Sequence, residues 1–190
     1  MNQAILAVDD EPHMLMLLER ILRERTRFEL VATTNSLEVP GLLESRTFDL
    51  IICDLRMPGM DGLDILRWID EHNRHEAVVL ITAFGTLDDA AEAKRYGLYE
   101  YLNKPFRKEQ LLSAVHAVMR WQAARRDGES NGSFERDAFA SAPLHFQQVW
   151  LHRMARRHGS ADNIARHTGI PKRTVESLLH PNGDHPGSRA

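Results

Sequence analysis

Asp9, Asp10, Asp54, Thr82 and Lys104 are the side chains whose types and positions could carry chemistry. Each closes or follows an apolar run. Asp9-Asp10 follow Ala4-Ile5-Leu6-Ala7-Val8, Asp54 follows Phe48-Asp49-Leu50-Ile51-Ile52-Cys53, Thr82 ends the run from Ala77, and Lys104 follows the run Leu98 to Leu102. Three carboxylates are hard oxygen donors, which suit Mg²⁺ better than a softer metal that favours Cys or His. Mg²⁺ keeps several waters and is commonly completed by phosphate, so the set points to a phosphoryl group. A carboxylate can attack phosphorus to form an acyl phosphate, while a metal and a nearby cation neutralise the equatorial oxygens. Asp54 enters the turn Leu55-Arg56-Met57-Pro58-Gly59-Met60-Asp61-Gly62 and is expected to be exposed and rigidly held, as the nucleophile. Lys104 supplies the cation and Thr82 a hydroxyl donor. Three clustered carboxylates without a metal should repel, raising at least one pKa.

The elements that must position these residues are legible as alternating periodicities. Five short runs rich in β-formers, Ala4 to Val8, Phe28 to Ala32, Phe48 to Cys53, Ala77 to Thr82 and Leu98 to Leu102, predict strands. Between them lie helical spacings: one opened by Pro12 with Met14, Leu17, Leu18, Ile21 and Leu22 on one face, then Leu37 to Ser45, Leu63 to His72, Leu87 to Tyr96 and Lys108 to Arg126. Strict β-α alternation with short connections predicts an α/β fold, a doubly wound parallel sheet covered by helices on both faces. Ligands of such sheets bind beyond the carboxyl ends of the strands, which is where Asp9, Asp10, Asp54 and Thr82 fall. Tyr101 has two readings on spacing alone, an outward strand residue or part of the site.

Composition sets the outer limits. The chain has 190 residues, 43% hydrophobic and 27% charged, room for one full core and a small second domain. No apolar run approaches the roughly 20 residues of a membrane span, and a signal-like start is missing, so a cytoplasmic protein with no membrane partner is expected. Cys53, the single cysteine, excludes an internal disulfide. Net charge is -3, yet residues 141 to 190 hold seven Lys/Arg against three Asp/Glu, with six of the ten histidines. A basic end on an acidic body predicts an anionic partner. Those histidines lack metal-ligand spacing, so no second metal is expected.

Residues 1 to about 122 resemble the receiver domain of two-component response regulators. The resemblance rests on Asp9-Asp10-Glu11, Asp54-Leu55-Arg56-Met57-Pro58-Gly59-Met60-Asp61-Gly62, Thr82-Ala83 and Lys104-Pro105-Phe106, in that order. It implies a five-stranded flavodoxin-like receiver whose Asp54 is phosphorylated by a cognate sensor histidine kinase. It further implies Mg²⁺ held by Asp9, Asp10, Asp54 and the Arg56 backbone carbonyl, a Lys104 contact to the phosphoryl group, and Thr82 with Tyr101 as the switch pair. A cis Lys104-Pro105 bond is implied too. Arg56 and Phe84 would flank the path of the hydrolytic water and slow phosphoryl loss. Such a protein is not an enzyme beyond self-phosphorylation from phosphohistidine and autodephosphorylation.

After Arg126 the polar run Asp127-Gly128-Glu129-Ser130-Asn131-Gly132-Ser133 predicts a flexible linker, taken as 123–142. Helical spacing resumes with Phe146, Val149, Trp150 and Met154. In 143–182, Ala165 and Gly169 have helix-turn-helix spacing, with Ile164, Ile170, Val175 and Leu178 as a small core. Lys172, Arg173, Thr174, Ser177 and His180 then form a polar face suited to the major groove of DNA. A small all-α domain that binds protein fits the same spacing. The segment resembles the Fis-type output domain of the RegA/PrrA group of regulators. His180-Pro181-Asn182-Gly183 departs from that pattern by ending the second helix early, and 183–190 is expected to be a disordered tail. The resulting reading is a phosphorylation-controlled transcription regulator that forms a homodimer when phosphorylated. Its rivals are a signalling adaptor whose C-terminal helices bind protein, and, disfavoured for lack of a second acid/base group, a Mg²⁺-dependent phosphohydrolase.

Overall fold

The computed structural model describes residues 3–131 and 136–180. Five parallel strands, β1 (Ala4–Val8), β2 (Glu29–Thr33), β3 (Leu50–Asp54), β4 (Ala77–Thr82) and β5 (Leu98–Asn103), lie in the order β2-β1-β3-β4-β5. Every residue of β1, β3 and β4 is buried, which is why these strands read as unbroken apolar runs rather than alternating ones. β2, at the edge, is half exposed. The strand order reverses between β1 and β3, so the switch point of the sheet lies at the carboxyl ends of those two strands.

Helices α1 (Pro12–Arg25), α2 (Val39–Ser45), α3 (Gly62–Glu71), α4 (Leu87–Arg95) and α5 (Lys108–Asn131) follow the strands in turn. Proline at its first turn starts α1, whose Leu15, Leu18, Ile21 and Leu22 are buried. Reciprocal capping boxes, Asp61 with Asp64 and Thr86 with Asp89, start α3 and α4. The two helices differ in what holds them. Leu63, Ile65, Leu66 and Ile69 of α3 are buried, whereas α4 buries Ala93 alone.

Contacts divide the chain into two compact units, Met1–Met119 and Arg120–Ala190, with the division inside α5. The second unit continues with α6 (Arg136–Ser141), α7 (Leu144–His158), α8 (Ala161–Thr168) and α9 (Lys172–Leu179). Its core is aromatic: the Trp121 ring centroid lies 5.6 Å from Phe139, 5.0 Å from Phe146 and 5.4 Å from Trp150. The span 123–142, expected as an irregular linker, therefore holds the end of α5 and all of α6, with 132–135 outside the described residues. Burial of Trp121, Gln122 and Ala124 on one side and Phe139 on the other outweighs the local Gly/Ser signal. The expected tail, 183–190, lies outside the described residues.

Between α8 and α9 the turn follows from two residues. Gly169 takes φ 75°, the left-handed conformation a side chain resists. Thr168 is fully buried, donating its hydroxyl to the Ile164 carbonyl at 2.8 Å and accepting the Ile170 N–H at 3.2 Å. Ile164, Ile170 and Val175 are buried beside it.

Candidate functional site

Parallel pairing sets Val8 opposite Cys53, so the next residues, Asp9 and Asp54, leave adjacent strands side by side at the switch point. One ligand oxygen from each of Asp9, Asp10 and Asp54 lies within 4.8 Å of the others. Lys104 arrives from the far side, its backbone N–H bonded to the Thr82 carbonyl at 2.8 Å and its bond to Pro105 cis. Its ammonium donates to Asp9 Oδ2 at 3.0 Å and to Asp54 Oδ2 at 2.5 Å. The other oxygen of each aspartate accepts a backbone N–H, Asp9 Oδ1 from Glu11 at 2.9 Å and Asp54 Oδ1 from Arg56 at 3.1 Å. Both carboxylates are thus oriented by main chain on one side and by Lys104 on the other.

Asp54 is 8% exposed and Asp9 1%, while Asp10 faces solvent. The expectation of an exposed Asp54 is corrected, because the residue is still paired within β3, opposite Ile81, and Lys104 covers it. The Asp9 carboxyl is pushed above its ordinary value, chiefly by burial. The Glu11 N–H and Lys104 work against that rise, and repulsion from Asp54 adds least. A raised carboxylate was expected from crowding; desolvation is its main physical cause. Burial would lower the Lys104 ammonium, but its hydrogen bonds to Asp54 and Asp9 outweigh that and its pKa is raised. Three hard-oxygen carboxylates facing one ammonium leave an excess of negative charge, a donor set that fits a small divalent cation.

Thr82, 1% exposed at the end of β4, accepts the Phe84 N–H on Oγ1 at 3.1 Å. Tyr101, opposite Leu80 in β5, packs its ring against the core. Its hydroxyl oxygen is buried with no hydrogen-bond partner among the described residues, and burial raises its pKa. Arg56, followed from sequence for its carbonyl and its bulk, has a further partner. Its guanidinium reaches Asp89 in α4. The spacing of a β-α repeat does not reveal that pair, which joins residues 33 apart.

In the second unit Arg173, Ser177 and His180 are exposed, as a groove-facing set requires. Thr174 is half-buried and, with Phe139, Ala140, Ile170 and Pro171, lines a cavity of about 150 Å³. The Lys172 ammonium lies 2.8 Å from Asp162 and 3.7 Å from Glu176. His158 and His167 stack with centroids 4.3 Å apart, an arrangement that the absence of ligand spacing did not suggest. No helix among the described residues is long and apolar enough to cross a membrane.

Comparison with known proteins agrees with this geometry. Residues 5–116 match the family model described as the response regulator receiver domain. The chain is 30% identical over 182 residues to the response regulator protein PilR of Pseudomonas aeruginosa, covering 96% of this chain and 40% of that protein. It is 34% identical over 180 residues to the DNA-binding transcriptional regulator NtrC of Salmonella typhimurium, covering 91% of this chain and 37% of that one. The chain therefore spans about two fifths of the length of these relatives. A crystal structure of a response regulator receiver domain protein from Clostridium thermocellum superposes with a TM-score of 0.59 at 31% identity, over 64% of this chain and 97% of that one.

Proposed function

Because the chain belongs to the response regulator receiver domain family, we propose that it is a cytoplasmic regulator switched by phosphorylation of Asp54. The phosphoryl donor is the phosphohistidine of a cognate sensor kinase. One observation carries the reading: the Lys104 ammonium bridges Asp9 and Asp54 at the β1/β3 switch point, with Asp10 completing a three-carboxylate cluster. A carboxylate oxygen of Asp54 forms the new bond to phosphorus as the phosphorus–nitrogen bond of the donor breaks, its electron pair staying on the imidazole. Lys104, already on Asp54 Oδ2, holds a phosphoryl oxygen and offsets its charge. Asp9, Asp10, Asp54 and the Arg56 carbonyl would hold Mg²⁺, which when bound neutralises charge on the transferred group. Thr82 turns its hydroxyl from the Phe84 N–H toward the phosphoryl group, and Tyr101 reports the change. Intact mass after incubation with acetyl phosphate and Mg²⁺ tests this reading. A gain of one phosphoryl group, lost in Asp54→Asn, is expected, whereas steady release of inorganic phosphate from external phosphoesters would favour the hydrolase.

The α8–α9 pair is proposed as a DNA-binding output, with Lys172, Arg173, Thr174, Ser177 and His180 toward the groove and with two copies brought together as a homodimer on phosphorylation. Support comes from the left-handed Gly169 turn and the basic charge of the last fifty residues. One observation favours the adaptor as a second reading: Lys172 is already ion-paired within the unit. Salt-dependent binding to DNA that weakens in Lys172→Ala/Arg173→Ala separates the two.

A further inference from the structure

We infer that Gly85 is the positioning residue of the switch, because the space left by its missing side chain is where the Tyr101 hydroxyl sits. This inference rests on the phosphorylation reading above and adds a determinant to it.

A Cβ built on Gly85 would lie 1.5 Å from Tyr101 Oη, 2.7 Å from Tyr101 Cζ and 3.0 Å from Thr82 Cγ2. The first two separations are impossible for non-bonded atoms, so any side chain at 85 must displace the ring or the loop that carries it. Backbone conformation does not impose glycine here. Among the described residues the glycines with positive φ are Gly59, Gly97, Gly159 and Gly169, and Gly85 is not one of them. Space alone is what the position supplies.

Nor does a hydrogen bond hold the ring. The Tyr101 hydroxyl is buried and without a partner among the described residues, an arrangement that disfavours this position. The ring stays inward through shape, against the core on one side and the bare Gly85 backbone on the other. Tyr101 is thereby easily displaced by a small movement of the loop.

That loop is tied to the phosphorylation site at one end and to α4 at the other. Thr82 Oγ1 accepts the Phe84 N–H at 3.1 Å, and Thr86 caps α4 by accepting the Asp89 N–H. Gly85 stands between them. When the Thr82 hydroxyl leaves the Phe84 N–H for a phosphoryl oxygen, the backbone under Tyr101 is released. The width of the Tyr101 berth then changes with the state of Asp54. Phe84 and Leu87, 81% and 91% exposed, flank Gly85 along the same loop.

The experiment uses the full chain labelled with 3-fluorotyrosine, the Tyr101 resonance being assigned with Tyr101→Phe. Fluorine NMR is recorded before and after acetyl phosphate with Mg²⁺, with phosphoryl uptake read by intact mass. Gly85→Ala is expected to move the Tyr101 resonance toward that of a solvent-exposed tyrosine and to abolish its response to phosphorylation, while Asp54 takes up phosphoryl as in the parent. An unchanged resonance and an unchanged response in Gly85→Ala overturn the inference. Should Gly85→Ala unfold, thermal unfolding of Gly85→Ala/Tyr101→Ala decides: stability equal to Tyr101→Ala supports the steric role, and no recovery overturns it. If the parent chain takes up no phosphoryl group, the phosphorylation reading fails, and the same stability comparison still judges the Gly85–Tyr101 contact.

Discussion

Arg56 and Asp89 are joined through one guanidinium nitrogen that donates to both carboxylate oxygens, at 2.9 and 2.8 Å. Asp89 also closes the capping box of α4, accepting from the Thr86 backbone and hydroxyl. A residue of the loop that follows Asp54 is therefore tied to the first turn of α4. Arg67 makes a second tie, to Glu92 at 2.7 Å, from α3. With only Ala93 buried, α4 depends on such pairs more than α3 does.

A phosphoryl group on Asp54 adds negative charge two residues from Arg56 and competes for its guanidinium. Arg56→Ala should mimic the released state at α4. Partly exposed ion pairs are worth about 0.2–1 kcal/mol, so amide hydrogen exchange in α4 should quicken by up to about fivefold. Exchange in α3 should be unchanged.

The pair also sets an acid response. The Thr86 N–H first, then the Thr86 hydroxyl and Arg56, hold the Asp89 carboxyl below its usual 3.8. A carboxylate depressed in the folded state stabilises it above the unfolded pKa, and the contribution fades as pH falls through the folded value. Thermal unfolding of the parent and of Asp89→Asn should therefore differ at pH 5 and above, and converge as the pH is taken below about 3.8 toward the depressed value. A difference that stays constant through that window would remove Asp89 as its source.

Lys104 stands in for cationic charge between Asp9 and Asp54. Removing it in Lys104→Ala leaves two buried carboxylates without their shared donor. Hydrogen bonds to charged groups contribute about 1.5–3 kcal/mol, so stability without Mg²⁺ should fall by about that amount and recover in part when Mg²⁺ is added. Calorimetric titration should show Mg²⁺ binding that is weakened on the order of tenfold or more in Asp9→Asn and in Asp10→Asn.

In the second unit, Lys172 is held by Asp162 and Glu176, so its charge is partly spent before any phosphate arrives. Arg173→Ala is expected to weaken DNA binding more than Lys172→Ala. The slope of log affinity against log salt should fall by about 1 on losing one phosphate contact. Equal, salt-independent losses would instead support a protein-binding output.

The strands were legible because full burial on both faces leaves unbroken apolar runs, as in Leu50-Ile51-Ile52-Cys53. Strand ends were less so. β2 runs Glu29–Thr33 rather than Phe28 to Ala32, since pairing of Val8 with Thr33 sets its end. Asp9, Asp10, Asp54 and Lys104 could be placed together because each lies at or just beyond the carboxyl end of β1, β3 or β5. Arg56–Asp89 and Gly85–Tyr101 could not, because both depend on which way loops fold back, and a β-α pattern carries no such information. Likewise the packing of Trp121 on Phe139 unites the two ends of a stretch whose glycines and serines read locally as a tether.

Site mapping of the acyl phosphate tests the central claim most directly. The full chain is incubated with phosphoramidate, a phosphorus–nitrogen donor, with Mg²⁺ or with chelator, then reduced with borohydride and digested for mass spectrometry. Reduction at Asp54 alone, dependent on Mg²⁺ and absent without the donor, is the predicted result. Reduction at Asp9 or Asp10 in its place, or at none of the three, would contradict the account.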